Sequence, residues 1–359
     1  MLRSMRREWQ MYFASGGNEA LEIFDKTGID VIVSDMKMPG MDGAGLLQEV
    51  RTRYPHTVRL ILSGYSEKEM IMKSVGAAHQ YISKPCDSEV LKEKIQRACN
   101  LRDLLGNEKL RQLVSQMRSV PSLPTLYSEI MVELGSTEPN MRKIAEIVKK
   151  DIGMTVKILQ IVNSAFFGLR RNISNAGDAI NFLGLDTIKS LTLSIGIFSQ
   201  FEGKNQPEAI ISKIWDHSMA VGKTAKAIAE KEIPENANDA FTAGLLHEIG
   251  EIVLTVNLPE QYAAVQELIK KENLTRIAAE SQVFETTHSE VGAYLLGLWG
   301  LPHLVVEAVA FHHFPGNFQT ASFSPMAAVY IANKFNTHSD EQILNRNKPS
   351  KALSRLPVR

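Results

Sequence analysis

Val31-Ile-Val-Ser-Asp35-Met-Lys-Met-Pro39-Gly40-Met-Asp42-Gly43 is an apolar run that closes on a carboxylate and then turns through Pro39-Gly40. The pattern predicts a buried strand with Asp35 at its carboxyl edge, where open α/β sheets gather their chemistry. Two later segments behave alike. Val58-Arg-Leu-Ile-Leu-Ser63-Gly64 predicts a strand ending in a hydroxyl, and His79-Gln-Tyr81-Ile-Ser-Lys84-Pro85 a strand ending in an amine. Taken singly, an Asp at a strand end is more often a turn or helix cap, and a Lys before Pro is more often a solvated surface residue. Taken together, three strand ends offer a carboxylate, a hydroxyl and a lysine to one crevice.

In this order and spacing the set resembles the receiver domain of bacterial two-component response regulators. The resemblance implies a flavodoxin-like parallel sheet in which Asp35 accepts a phosphoryl group from a sensor histidine kinase. Ser63 and Lys84 then take the phosphate oxygens, and Tyr81 is the aromatic whose rotamer reports the switch. A dianionic aspartyl phosphate needs a hydroxyl donor and a cation, and neighbouring strand ends supply both.

A receiver also opens with a strand ending in two acidic residues, which join the phosphoacceptor in holding magnesium. Here Met1-Leu-Arg-Ser-Met-Arg-Arg-Glu-Trp9 reads as the second half of the first helix, Gln10-Met-Tyr-Phe-Ala14 as the second strand and Asn18 to Phe24 as the second helix. The first strand and its acidic pair are missing from this reading. A start assigned too late accounts for that better than decay, because the other three active positions are intact. Magnesium is therefore expected only if the acidic pair exists. The chain as it stands is expected to phosphorylate poorly with a small phosphodonor and magnesium.

The 359 residues allow two or three domains, and 44% hydrophobic residues suffice for packed cores. Forty Lys plus Arg balance forty Asp plus Glu, which lacks the electrostatic footprint of a nucleic-acid binder. No apolar run approaches the roughly 20 residues of a membrane span, and Arg6-Arg7-Glu8 interrupts any signal-peptide core. Cys86 and Cys99 show no metal-type pairing and read as reduced thiols. A cytoplasmic location without membrane insertion is the expectation.

Asp87 is placed to cap the last receiver helix, and an apolar stripe from Leu91 to Leu105 carries that helix beyond one receiver. Gly106-Asn107 interrupts it, and Val120-Pro121-Ser-Leu-Pro124 marks the entry to a new unit. The boundaries expected are a receiver over 1–99, a helical linker over 100–118, a helical domain over 119–335 and a mostly mobile tail over 336–359. In the helical domain, apolar residues recur at three and four, with Asn140 opening one helix, Gly168 closing another, and Asn175 or Asp178 opening the next.

Seven of the nine histidines lie after residue 200. His217 follows Trp215-Asp216, His247-Glu248 lies within Gly244-Leu-Leu-His-Glu-Ile-Gly250, His288 precedes Ser-Glu-Val-Gly292, and His312-His313 precedes Phe314-Pro315. A single histidine on an apolar helix is usually packed and bonded to a carbonyl. As an ordered set these resemble the metal ligands of the HD superfamily of phosphohydrolases, in which two metals activate a water. The match departs where charge matters. Glu248 replaces an Asp, and Asn333 stands where a further Asp is called for, which points away from a working two-metal site.

Asp151 to Ala165, Ala179 to Gly184, the Gly244 to Gly250 segment, Gly292-Ala293 with Trp299, and His312-His313 together resemble the HDOD domain, a helical relative of the hydrolases generally without demonstrated catalysis. The resemblance covers about residues 115 to 335. Asn163 reads more readily as a tie to a neighbouring loop backbone than as a ligand contact. The leading expectation is a response regulator whose receiver, through a continuous linker helix, controls a non-catalytic HDOD module that binds other signalling proteins and can form a homodimer. The alternative is an HD-type phosphohydrolase of a (cyclic di)nucleotide with His217, His247, Glu248, His288, His312 and His313 as metal candidates. A third reading is a constitutive scaffold indifferent to Asp35.

Overall fold

A computed structural model describes residues 9–64, 77–105, 107–117, 120, 122, 124–163, 172–189, 192, 208–314 and 322–346. The amino-terminal part contains α1 (Gly17–Phe24), β1 (Val31–Asp35), α2 (Gly43–Arg53), β2 (Val58–Ser63), β3 (Gln80–Ser83) and α3 (Ser88–Leu104). The strands form a parallel sheet in the order β1-β2-β3, with Asp35 opposite Leu62 and Ser63 opposite Ser83. β2 is central and apolar on both faces apart from Arg59 and Ser63, as a strand covered on both sides must be. The turn after Asp35 is tight. A side chain at Gly43 would place its Cβ 2.1 Å from the Asp35 carbonyl oxygen, and the Gly43 amide donates to the Met36 carbonyl at 2.9 Å.

Residues 10–14, expected as the second strand, join no sheet. In a receiver's strand order that strand pairs only with the first, and the described residues hold no such strand for it to pair with. The first-helix expectation for residues 1–8 lies outside the described residues, as do the helix stop at Gly168 and the tail beyond 346.

The remainder is helical: α4 (Glu108–Gln116), α5 (Pro124–Gly135), α6 (Met141–Lys150), α7 (Ile152–Val162), α8 (Ala176–Leu183), α9 (Leu185–Lys189), α10 (Glu208–Glu232), α11 (Ala237–Leu246), α12 (Ile249–Asn257), α13 (Pro259–Glu272), α14 (Arg276–Phe284), α15 (His288–Leu298), α16 (His303–Phe311) and α17 (Pro325–Arg346). Short polar side chains start these helices by accepting otherwise unpaired amides. Asn140 accepts from Arg142 and Lys143, Asp151 from Met154, and Asn175 from Gly177 and Asp178. Asn163 donates to and accepts from the Ile173 backbone at 2.7 Å each, the loop tie read from its sequence. α17 runs past residue 336, through part of the segment expected to be a mobile tail.

The connection between the two parts is not one continuous helix. α3 ends at Leu104, and Asn107 starts α4 by accepting from the Leu110 amide at 3.2 Å. Leu105, Leu110 and Val114 are buried in the same apolar core as Val58, Leu60 and Ile82 of the sheet and as Tyr294, Leu295 and Leu298 of α15. The receiver sheet and the helical domain therefore share a core on one face of the sheet. The other face packs its own cluster of Ile32, Met36, Leu46, Leu47, Ile61 and Tyr81.

Candidate functional site

At the carboxyl edge of the sheet, Lys84 Nζ lies 2.6 Å from Asp35 Oδ1, with both side chains nearly half exposed. Backbone pairing continues past the strand ends, Met36 N to Leu62 O at 2.9 Å and Lys84 N to Ser63 O at 2.8 Å, which brings the three functional side chains to one edge. Ser63 is buried, and its Oγ finds no hydrogen-bond partner among the described residues. A buried hydroxyl without an acceptor costs on the order of 1–3 kcal/mol, a cost that a phosphoryl oxygen at this edge would relieve. Tyr81 is buried on the sheet face opposite Ile82. Lys84 and Asp35 thus meet at this edge, and Ser63 ends the strand that lies between theirs.

The donor set does not fit magnesium. Asp35 faces an ammonium, and none of the groupings of possible metal ligands among the described residues includes it. Magnesium keeps several waters but relies on one or two carboxylates, and the Asp35 carboxylate is already paired with the Lys84 ammonium.

The second constellation lies in the helical domain. His247 and Glu248 sit at the junction of α11 and α12, His288 is the first residue of α15, and His312 and His313 follow α16. Close helix contact brings them together. A Cβ at Gly250 on α12 would stand 1.9 Å from the His288 carbonyl oxygen and 2.7 Å from the Gly292 amide nitrogen on α15. Ligand atoms of Glu248, His288, His312 and His313 all lie within 4.8 Å of one another, and those of His217, His247 and Glu248 form a second such group. Glu248 belongs to both.

The rings are fixed from behind. His288 Nδ1 donates to the Glu280 carboxylate at 2.8 Å, His312 Nδ1 to the Val309 carbonyl at 2.8 Å, and His247 Nδ1 to the Gly244 carbonyl at 2.7 Å. That leaves the Nε2 atoms turned inward. His288 Nε2 is 3.3 Å from His312 Nε2, 3.0 Å from His313 Nε2 and 3.1 Å from Glu248 Oε2. Burial holds His312 well below the ordinary histidine range, drives His313 down to about 2 and His247 to about 4, so all three stay neutral. Burial also opposes a charge on His288, yet the carboxylates of Glu248 and Glu280 outweigh it and raise its pKa to about 9. Burial pushes Glu248 toward neutrality, and His288, His247 and Arg276 reverse this and hold it ionised. Without a metal, one proton on His288 Nε2 faces a carboxylate and two imidazole lone pairs. That is the donor set of a metal ion, three nitrogens and a carboxylate oxygen with orienting partners behind them.

His217 is placed differently. Its Nε2 is 3.1 Å from Asn333 Oδ1 and is committed to that bond. Beside the cluster, Arg276 pairs with Glu251 and lies 3.8 Å from Glu248, while Tyr262 donates to Glu251. Burial raises Glu251 to about 7, against the pull of Arg276. Glu280, Glu251, Arg276 and Tyr262 were not singled out from the sequence. Tyr262, Arg276 and Glu280 sit on α13 and α14, and Glu251 lies on α12 one residue past the Gly244 to Gly250 segment; only contact identifies them.

A receiver-type sheet shares a core with a histidine-lined helical domain. The comparisons agree: a response regulator receiver domain matches residues 2–96 and an HDOD domain matches residues 120–315, more than half of the chain. The chain belongs to the HDOD family. It is 31% identical over 138 residues to the hydrogenase transcriptional regulatory protein HoxA of Cupriavidus necator, covering 38% of this chain and 28% of that one. It is 25% identical over 203 residues to an uncharacterized protein of Treponema pallidum, covering 56% of this chain and 39% of that one. The chain thus spans well under half the length of these relatives. The crystal structure of the MmoQ response regulator of Methylococcus capsulatus shares the fold at a TM-score of 0.51 and 23% identity, over 61% of this chain and 87% of that one. No helix among the described residues is long and apolar enough to cross a membrane.

Proposed function

We propose that this chain is a cytoplasmic response regulator in which a sensor histidine kinase phosphorylates Asp35 and the receiver controls an HDOD module that binds other signalling proteins. The observation that carries this reading is the edge where Lys84 meets Asp35 at 2.6 Å, with Ser63 on the intervening strand, its hydroxyl without a hydrogen-bond partner among the described residues. In it, an Asp35 oxygen attacks the phosphorus of the kinase's phosphohistidine and the P–N bond breaks, the imidazole leaving with the electron pair and taking up a proton; Lys84 shifts from the carboxylate to the new phosphoryl oxygens, and Ser63 donates to another. Magnesium enters only where further acidic ligands join Asp35. The test is transfer of labelled phosphate from a panel of autophosphorylated histidine kinases. Labelling of the wild type but not of Asp35→Asn is the expected result; label retained by Asp35→Asn, or none from any kinase, overturns it.

A second element rests on the inward Nε2 atoms: the helical domain holds one transition-metal ion on Glu248, His288, His312 and His313. When bound, such an ion supplies a Lewis-acidic centre. The protein's own contribution is orientation, by Glu280 behind His288 and by the Val309 carbonyl behind His312. Elemental analysis of untagged protein, beside a His247→Ala, His288→Ala variant, tests this reading. Near-stoichiometric metal lost in the variant is expected, and none in either protein refutes it.

A further inference from the structure

One helix joins the histidine cluster to the receiver sheet. α15 begins at His288 in the histidine cluster and, about 15 Å further on at 1.5 Å per residue, ends against the receiver sheet. Gln80 of β3 donates from Nε2 to the Gly297 carbonyl at 3.0 Å, and Arg97 of α3 donates to the Leu301 carbonyl at 3.3 Å. The Gln80 side chain lies so close to the turn that a Cβ at Gly300, whose φ is +73°, would stand 3.2 Å from it. Midway along the helix, Tyr294 OH meets Ser115 Oγ of α4 at 3.1 Å. At the amino end, Asn107 donates to the Phe284 carbonyl at 3.0 Å, just before the turn that leads into His288.

The receiver side of these contacts is tied by buried hydrogen bonds. Arg59 is a buried cation whose guanidinium donates to the Ala77 carbonyl at 2.8 Å, the Thr57 carbonyl at 3.1 Å and the Ser115 carbonyl at 2.8 Å. His79 accepts from the Arg59 amide at Nδ1, and its Nε2 lies 2.9 Å from the same Ser115 carbonyl and 2.8 Å from Arg59 Nη2. The sheet is thereby clamped to α4, and α4 to α15. Gln80 also adjoins Tyr81 on β3. Alternation sends Tyr81 to the receiver's own cluster and Gln80 to the helical domain, so a shift of β3 that moves one must move the other.

We propose that α15 is the element through which the receiver and the histidine cluster read each other: the position of β3 sets how His288 is presented to a metal ion, and metal occupancy in turn sets the rigidity of β3 and α4. This rests on the metal-centre reading above. Coupling between two binding events is reciprocal, so each end must report a change at the other.

The experiment uses the full chain and zinc alone, its affinity measured by competition with a chelating dye in wild type, Gln80→Ala and Tyr294→Phe. Neither residue touches the cluster, and each substitution removes one hydrogen bond to or from α15. Zinc affinity is expected to fall three- to tenfold in each. Leu134→Ala, a core truncation on α5 far from α15, controls for general loss of stability and is expected to leave affinity unchanged. Hydrogen exchange supplies the reciprocal readout: zinc should slow exchange in β3 and α4 of the wild type and no longer do so in Gln80→Ala. Zinc bound by the wild type with unchanged affinity in both variants, or protection confined to the helices bearing the ligands, overturns the coupling and leaves the metal centre standing. Wild type that binds no zinc overturns both.

Discussion

Replacing Gly250 by alanine tests the claim that backbone contact between α12 and α15 assembles the histidine cluster. The new Cβ would lie 1.9 Å from the His288 carbonyl oxygen and 2.7 Å from the Gly292 nitrogen. Neither is a flexible side-chain end. To reach 3.4 Å, where ordinary contact begins, the gap at the His288 carbonyl must open by about 1.5 Å. Metal-ligand distances tolerate about 0.2 Å, so a shift of this size moves His288 out of the set. Overpacking costs about 1–3 kcal/mol, and the gain in helix propensity from glycine to alanine returns about 1 kcal/mol. A net loss of about 0–2 kcal/mol in urea unfolding is therefore expected, with zinc affinity reduced at least tenfold. Gly28→Ala is the control, since nothing lies within 4 Å of a Cβ there. Zinc affinity and urea midpoint both equal to wild type in Gly250→Ala would refute the reasoning.

Acid sensitivity follows from the buried histidines. His79, His247, His312 and His313 are held neutral in the folded protein but titrate near about 6.5 when unfolded. With folded pKa values depressed, their contribution is present above about 6.5 and lost as pH falls. Glu251, raised to about 7, and His288, raised to about 9, have the opposite sign and gain stability as pH falls, which offsets part of the loss. Metal-free protein should lose roughly 3 kcal/mol between pH 7 and pH 5.5, read as a falling urea midpoint; a flat midpoint across that range contradicts the assignment. Arg59→Ala takes a donor from the Ala77, Pro55, Thr57 and Ser115 carbonyls, of which Ser115 keeps His79, and should cost about 3–5 kcal/mol, whereas a loss below about 1 kcal/mol would show the clamp to be idle. Glu280→Gln removes the charge behind His288 and should weaken zinc binding by about 10- to 100-fold; an unchanged dissociation constant in dye competition would remove Glu280 from the site.

The strand ends were legible because each is a local pattern: an apolar run, a polar terminus and a turn residue, closed by pairing that parallel strands enforce. The helix starts at Asn140 and Asn175 were legible for the same reason, since capping acts within three residues. Residues 10–14 misled because their sequence is strand-like while a strand needs a partner, and none is present among the described residues. The shared core was only half visible. A leucine stripe outlasting one receiver indicated that something covers it, but not that α3, α4 and α15 would close around the sheet itself. Arg59 was a signal left unread: an arginine inside Val58-Arg-Leu-Ile-Leu calls for carbonyls to hold it.

The choice between a metal centre that organises and one that hydrolyses turns on Asn333. Two-metal attack on phosphorus needs two adjacent cations, each with enough anionic ligands to stay bound while sharing a hydroxide. Glu248 already offers an oxygen to each side, since Oε2 faces His288 and Oε1 lies 3.5 Å from His247. The half of the cluster near His217 fails for a different reason. His217 Nε2 is engaged with the neutral amide of Asn333 at 3.1 Å, and His247 Nε2 has no hydrogen-bond partner among the described residues, so that half offers little negative charge beyond one shared carboxylate. Asn333→Asp restores an anion beside His217 without changing the side-chain volume. Wild type should then saturate at one zinc per chain and Asn333→Asp at two, measured by calorimetric titration of metal-free protein. Two zinc ions in the wild type would mean that the amide is no barrier, and the hydrolase reading would regain the site it needs.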